Sequence, residues 1–310
     1  MEPAIAENMQ DEVPPGVIIV NKPSGWTSHD VVAKMRRFAH TRKIGHLGTL
    51  DPLATGVLPL LIGRATRLAQ FFTRNEKIYE GTIHFGYATD SYDADGHPTS
   101  APVEVKLDHE KLNALFDRFR GTFQQMPPAV SAKKVGGRPA YELARKNLPV
   151  ELRPVQITVT SLEILEFLDP CRVLIRLHCS AGTYVRSIAH DAGQALGCGA
   201  FLEQLCRTAS GDFPLDQART LDELAALSAQ NRLAEAVILA GHLLPPFPSE
   251  TVDFVTAAQI RQGRNFRVSP FLVRDGAGES TPVKAVTTQG ELVAIGAPVL
   301  PHVYHPILVF

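Results

Sequence analysis

Apolar and polar positions recur along this chain with two different periods. Residues 16–20 are a β-branched run with the character of a strand, and 21–28 is rich in turn formers. Thr27 or Ser28 can then cap a helix over 29–39. Its Val31, Val32, Met35 and Phe38 fall on one face, with Lys34, Arg36 and Arg37 opposite. Residues 57–62 are apolar and short, and 64–72 has a helical pattern. From 77 to 86 the period drops to two. Tyr79, Ile83 and Phe85 alternate with Glu80, Thr82 and His84, as in a half-buried strand. An amphipathic helix over 108–119 is stopped by Gly121. Strands are expected at 155–167 and 171–179, then helical pieces at 187–196, 197–207 and 221–240.

The strongest linker signal is Leu244-Pro245-Pro246-Phe247-Pro248. Beyond it the chain changes character. A short helix at 257–262 precedes short strands around 266–268, 271–273, 283–287 and 292–295, with Gly276, Gly278, Gly290 and Gly296 at the turns. That is the pattern of a small barrel-like β appendage. The expected division is a disordered tail over 1–14, a main domain over 15–245 and a C-terminal domain over 250–310.

Length and composition fit this division: 310 residues, 45% hydrophobic and 20% charged, suit two ordinary globular domains. No apolar run approaches the roughly 18 to 20 residues of a membrane helix. The first residues carry acids and no apolar segment of the secretory kind, so a cytoplasmic protein is expected. Cys171, Cys179, Cys198 and Cys206 include no C-x-x-C pair, which argues against a metal knuckle or a redox dithiol. Neither a G-x-G-x-x-G nor a Walker loop calls for a nucleotide cofactor. Net charge is −1, but it is segregated. Residues 21–80 carry ten cations, Arg42, Lys43, Arg64 and Arg67 among them, against four acids. An insert over 124–154 holds Lys133, Lys134, Arg138, Arg145, Lys146 and Arg153 against Glu142 and Glu151, with a short helix expected at 140–146. Two basic regions on a neutral protein point to a polyanion partner.

The candidate chemistry sits in Gly45-His46-Leu47-Gly48-Thr49-Leu50-Asp51-Pro52-Leu53-Ala54-Thr55-Gly56. Pro52 biases Asp51 toward an extended or turn conformation, and the flanking glycines allow a ligand or backbone to approach. An ordinary Asp-Pro turn gives the same tripeptide. The wider set separates the two readings: Asn21-Lys22-Pro23-Ser24-Gly25-Trp26-Thr27-Ser28, Lys77-Ile78-Tyr79 and Gly182-Thr183-Tyr184-Val185-Arg186 stand in order around it.

Taken together, these four motifs resemble the bacterial tRNA pseudouridine synthases of the TruB type, from about residue 17 to residue 212. The resemblance implies an α/β fold of the α+β type, built on a long, mainly antiparallel sheet. It also implies a small PUA-like C-terminal domain and a thumb-like RNA-binding insert, matching 124–154. Residue by residue, Asp51 matches the catalytic aspartate and Tyr79 the tyrosine that stacks on the target uracil. His46 matches the histidine that fills the gap the base leaves in the T-loop. Lys22 and Pro23 match the pair supporting the active-site loop. Tyr184 matches a site tyrosine, Arg186 the arginine paired with the catalytic acid, Asp93 a second acid of that network and Leu205 an apolar pocket wall. Leu47 and Thr49 depart from the Thr and Ala of many bacterial members, from which altered loop packing is expected. The implied function is isomerisation of uridine 55 in tRNA, with a tRNA-folding role beside it. The implied partner is the tRNA T-arm, bound through the basic residues by a monomer without metal or other cofactor.

Such chemistry needs a flipped base, an aromatic to stack on it and a carboxylate. The carboxylate attacks C6 of uracil, attacks C1′ of ribose, or removes a proton. A carbohydrate hydrolase pairing Asp51 with Asp93 is one rival reading, although the cations suit phosphates better than neutral sugars. A non-catalytic RNA-binding module is the other.

Overall fold

The computed structural model describes residues 13–129, 152–270, 272 and 281–310, with 134–135 and 138–139 as backbone only. The side chains of the insert's basic residues Lys133, Lys134, Arg138, Arg145 and Lys146, its expected helix at 140–146 and most of the 1–14 tail lie outside what is described, as does most of the strand expected at 271–273.

Strand β1 (Gly16–Lys22) leads into helix α1 (Ser28–Phe38), then β2 (Ile44–His46), β3 (Thr55–Ile62), a 3₁₀ helix (Gly63–Phe71) and β4 (Lys77–Phe85). Helix α2 (His109–Asp117) and β5 (Gly121–Gln125) precede two short strands that pair together, β6 (Lys134–Val135) and β7 (Arg138–Pro139). The hairpin β8 (Val155–Asp169) and β9 (Arg172–Cys179) is followed by α3 (Val185–Ala195), β10 (Ala200–Ser210) and β11 (Phe213–Pro214). Next come α4 (Leu221–Ala229), β12 (Ile238–Leu239), β13 (Ser249–Thr251), α5 (Phe254–Arg261) and β14 (Phe266–Arg267). The chain ends on β15 (Val283–Val286), β16 (Leu292–Leu300) and β17 (Val303–Val309).

Ten strands form one sheet in the order β12-β1-β3-β10-β4-β9-β8-β5, with β11 on β10 and β2 on β3. Its ladders are antiparallel except that of β3 with β10, where Cys206 lies opposite Thr55 and Arg207 opposite Gly56. The expected mixed α/β fold on a mainly antiparallel sheet is what the chain adopts. Helices cover one face: Val31, Val32 and Met35 of α1, Leu112 and Phe116 of α2, and Ile188 and Ala192 of α3 share a core with Ile18, Leu58, Ile83 and Ile175. α1 starts on a capping box, Thr27 accepting from the Asp30 amide while Asp30 accepts from Thr27.

A second five-stranded sheet, β13-β15-β16-β17-β14, follows. It packs on the other face of β1 and β3, where Val17, Ile19, Val57 and Leu61 meet Val286, Ile295, Leu308 and Phe310. β3 is therefore apolar along its length because both its faces are covered. Leu47, one of the two departures from the resembling family, joins the same cluster.

Four expectations change. Residues 200–210 are a strand, not a helix: irregularities after Leu202 and Arg207 break the period of two that would have shown it. The helix expected over 221–240 stops at Ala229, because Asn231 takes φ 57° and ends it. The 244–248 stretch is no free linker. Leu243 and Leu244 are buried, and Phe247 stacks edge-on against Phe71 at 5.5 Å. Gly296 lies inside β16, where a Cβ would press the Phe266 ring at 2.6 Å, rather than in a turn.

Gly56 stands where the site loop enters the sheet, with φ 95° and space for a Cβ only 2.3 Å from the Arg207 carbonyl. Gly56→Ala is expected to lower the unfolding free energy by about 3 kcal/mol or more, read from urea titration. A loss below about 1 kcal/mol would contradict this close approach.

Candidate active site

Between β2 and β3 the chain has no regular structure, yet its backbone is bound residue by residue. The Gly48 and Thr49 carbonyls accept from the Arg207 guanidinium at 3.1 and 3.5 Å. Leu50 exchanges two bonds with the Ser28 hydroxyl: its amide donates at 2.9 Å and its carbonyl accepts at 3.2 Å. The Asp51 carbonyl accepts from the Ala54 amide at 3.1 Å. The Pro52 carbonyl takes the Gly25 amide at 2.9 Å and the Lys22 ammonium at 3.1 Å. Leu53 accepts from the Ser24 hydroxyl at 3.2 Å. Every carbonyl from 48 to 53 thus has a donor, most from outside the loop, so the loop's shape is set by its surroundings.

On this loop the Asp51 side chain is 36% exposed, while Arg186 beside it is 4% exposed. Arg186 stands in the first turn of α3, whose entry is fixed by Gln125: its amide donates to the Tyr184 carbonyl at 2.9 Å and its oxygen accepts from the Tyr184 amide at 2.8 Å. The Arg186 Nη2 donates to Asp51 Oδ1 at 3.0 Å, and Nε lies 2.8 Å from Oδ2 in an ion pair whose N–H is not aimed for a hydrogen bond. Nη1 turns the other way, to Asp93 Oδ2 at 3.2 Å and the Ser91 carbonyl at 3.0 Å. One guanidinium therefore bridges two carboxylates, one open to solvent and one buried. Burial holds the Asp93 carboxyl above its usual range, although the Ser91 hydroxyl and Arg186 pull it down. Its loop is fixed by a stack of Tyr92 on His190, 3.7 Å between ring centres, with Tyr92 at φ 66°.

Tyr79 projects from β4 on the buried face and is 8% exposed, as is Leu205 of β10. The two strands pair side by side, Gly81 opposite Leu205 and Tyr79 opposite Arg207, and Gly81 has no side chain to separate the rows. Burial raises the Tyr79 phenol, keeping it neutral. Lys22 is buried and donates to Trp26, Pro23 and Pro52 carbonyls at 2.6, 2.9 and 3.1 Å. Burial lowers its pKa to about 8 against the upward pull of Asp51. His46, at the start of the loop, packs edge-on against His29 at 5.8 Å with a buried Nδ1 that has no partner. Burial, then His29, lowers its pKa.

Asp51, Arg186, Asp93, Lys22 and Pro23 are thus brought together around one loop, with Tyr79 and Leu205 on the adjoining strands. Among the expected backbone cations, Arg42, Lys43 and Arg64 are exposed. Arg67 is exposed as well, and from the 3₁₀ helix it donates to the Val309 carbonyl of β17. Lys43 and Arg64 line a cleft of about 850 Å³ between those sheets, with Arg261 and Phe310. Ser24, Ser28, Gln125 and Arg207 were not singled out from sequence, and only the first two stand in a motif that could have drawn attention to them.

Residues 36–185 match the model of the TruB family pseudouridylate synthase (N terminal domain), and 186–246 that of the tRNA pseudouridylate synthase B C-terminal domain. A curated tRNA pseudouridine synthase B from Solibacter usitatus is 61% identical over 294 residues, covering 95% of this chain and 99% of that protein. Its counterpart from Thermobifida fusca is 41% identical over 287 residues, covering 90% and 93%. Among solved structures, an H/ACA RNP bound to a substrate RNA containing 2'-deoxyuridine aligns with TM-score 0.69 and 25% identity over 97% of this chain and 86% of that one. The archaeal box H/ACA sRNP Nop10-Cbf5 complex aligns with TM-score 0.65 and 27% identity, covering 94% and 81%. A carboxylate and arginine on a sheet of this shape, with these relatives, define an isomerase of the pseudouridine synthase class. Within that class, the chain belongs to the TruB family.

Lys22 and Lys77 both have pKa values lowered by burial from 10.5 to about 8. Below pH 8 both are charged in the fold and their desolvation cost is present in full. Between 8 and 10.5 the unfolded chain holds more protons than the folded one, so this cost fades and their contribution to stability rises with pH. Denaturant titrations between pH 8 and 9.5 are expected to give a shallower rise for Lys77→Met than for the wild type. Parallel slopes would contradict the shift.

Proposed function

We propose that this enzyme converts uridine 55 in the T-loop of tRNA to pseudouridine, with Asp51 as its catalytic carboxylate. The supporting observation is Asp51 itself, a carboxylate open to solvent on a backbone bound at every carbonyl and held in both oxygens by a buried arginine.

The uracil leaves its stack at a cost of a few kcal/mol. Stacking on Tyr79 is worth about 1–3 kcal/mol per base, and Leu205 closes the pocket beside it. His46, at the mouth of the loop, takes the place the base vacates. Asp51 then acts as nucleophile or base while the N-glycosidic bond breaks, and the freed uracil turns and rejoins ribose through C5. The carbon–carbon bond replaces the carbon–nitrogen bond, the C5 proton moves to nitrogen, and no electrons are gained or lost overall. Arg186 fixes both carboxylate oxygens through this sequence, so positioning is complete before substrate arrives. The exposed cations Arg42, Lys43 and Arg64, with the insert over 124–154, contact the T-arm backbone, and the second sheet serves as the PUA-like domain. A cytoplasmic tRNA-maturation role goes with this reading.

With unmodified tRNA, Asp51→Asn is expected to slow pseudouridine formation by roughly 10³-fold or more while leaving tRNA affinity within about threefold. Tritium release from C5-labelled uridine and mapping of the modified position check both points. Turnover by the variant, or modification at another uridine, would overturn the assignment.

A further inference from the structure

Arg207 is 1% exposed and, among the described residues, has no carboxylate within ion-pair distance. A buried cation without an acid is costly to keep, and simple packing is better served by an apolar side chain. Its donors go instead to the two ends of the catalytic loop. Nε reaches the Val57 carbonyl at 2.7 Å, Nη2 the Gly48 carbonyl at 3.1 Å and Nη1 the Thr49 carbonyl at 3.5 Å. Tyr79 lies directly opposite Arg207 in the β4–β10 ladder, so the buried guanidinium and the ring are neighbours on one face. The strand ladders explain how one residue does this. In β10, Arg207 lies opposite Gly56 of β3 on one side and Tyr79 of β4 on the other, two residues beyond Leu205.

We propose that Arg207 is the positioning residue of this site, holding the Asp51 loop and the Tyr79 ring in one fixed relation. The proposal deepens the tRNA reading above and rests on it. A planar fork can serve both loop ends at once from its place beside Tyr79, whereas a single ammonium cannot span them. Its charge also acts on neighbouring groups, since it lowers the proton affinity of Lys22, Lys77 and His46.

The test compares wild type, Arg207→Lys and Arg207→Met as full chains on a T-arm hairpin, at temperatures where thermal melts show each folded. Hairpin affinity is expected to stay within about threefold, while the single-turnover rate at saturating RNA falls roughly 10²-fold or more in both variants. In Arg207→Met the high-pH limb of the rate profile is also expected to move upward, because the neighbouring lysines regain protons. Should Arg207→Met fail to fold, Arg207→Lys decides the matter, since it keeps the charge and loses the fork. A saturating rate within about threefold of wild type in the folded variant, or a loss confined to affinity, would overturn the proposal. An inactive wild type would instead sink the tRNA reading, which keeps the two failures apart.

Discussion

Hydrogen bonds from side chains elsewhere in the fold, most of them buried, to the backbone carbonyls of residues 48–53 are the interaction on which the site depends. An irregular loop ordinarily leaves its carbonyls to water and wanders. Here Arg207 takes two of them, Ser28 one, Lys22 one and Ser24 one. Their donors come from both ends of the chain, so the loop is formed only when β1, α1 and β10 have assembled around it. A carboxylate mounted there needs no rearrangement to act, and its orientation is inherited from the sheet.

The electrostatics follow from that choice of donors. Lys22, Lys77 and Arg207 are buried behind the loop, and Arg186 stands beside it. Among the described residues, Asp51 and Asp93 both pair with Arg186, and Asp30 acts on Lys22 from a distance, while Arg207 has no carboxylate partner. Buried positive charge therefore collects behind Asp51, a setting that suits a negatively charged group in front of it. The second sheet supports the arrangement from below. Its Ile295, Leu308 and Phe310 cover the far face of β1 and β3, and the Lys284 ammonium donates to the Gly241 and Leu243 carbonyls at 3.1 and 2.7 Å.

Where local pattern and tertiary structure agree, the sequence was easy to read. α1 carries its apolar stripe within eleven residues behind a capping box at Thr27, β9 alternates without interruption, and β4 alternates except at the buried Thr82. Asp51, Tyr79 and Arg186 were legible because each stands in a short motif. β10 was not, since its two irregularities shift the alternation and leave Leu, Glu and Gln looking helical. β17 escaped notice because Pro306 interrupts an otherwise strand-like run in which Tyr304 and Leu308 point inward. Arg207 was invisible for a different reason. Its partner Val57 is 150 residues away, and nothing beside it hints at that meeting.

The central claim is that the loop around Asp51 is already in its working shape before RNA arrives. A crystal structure of the enzyme with a T-arm hairpin tests it most directly. The loop backbone over 48–57 is expected to move by less than about 1 Å between free and bound forms. The extruded uracil is expected to lie between the Asp51 carboxylate and the Tyr79 ring. A loop that refolds around the RNA, with Arg207 or Lys22 released from its carbonyls, would contradict it.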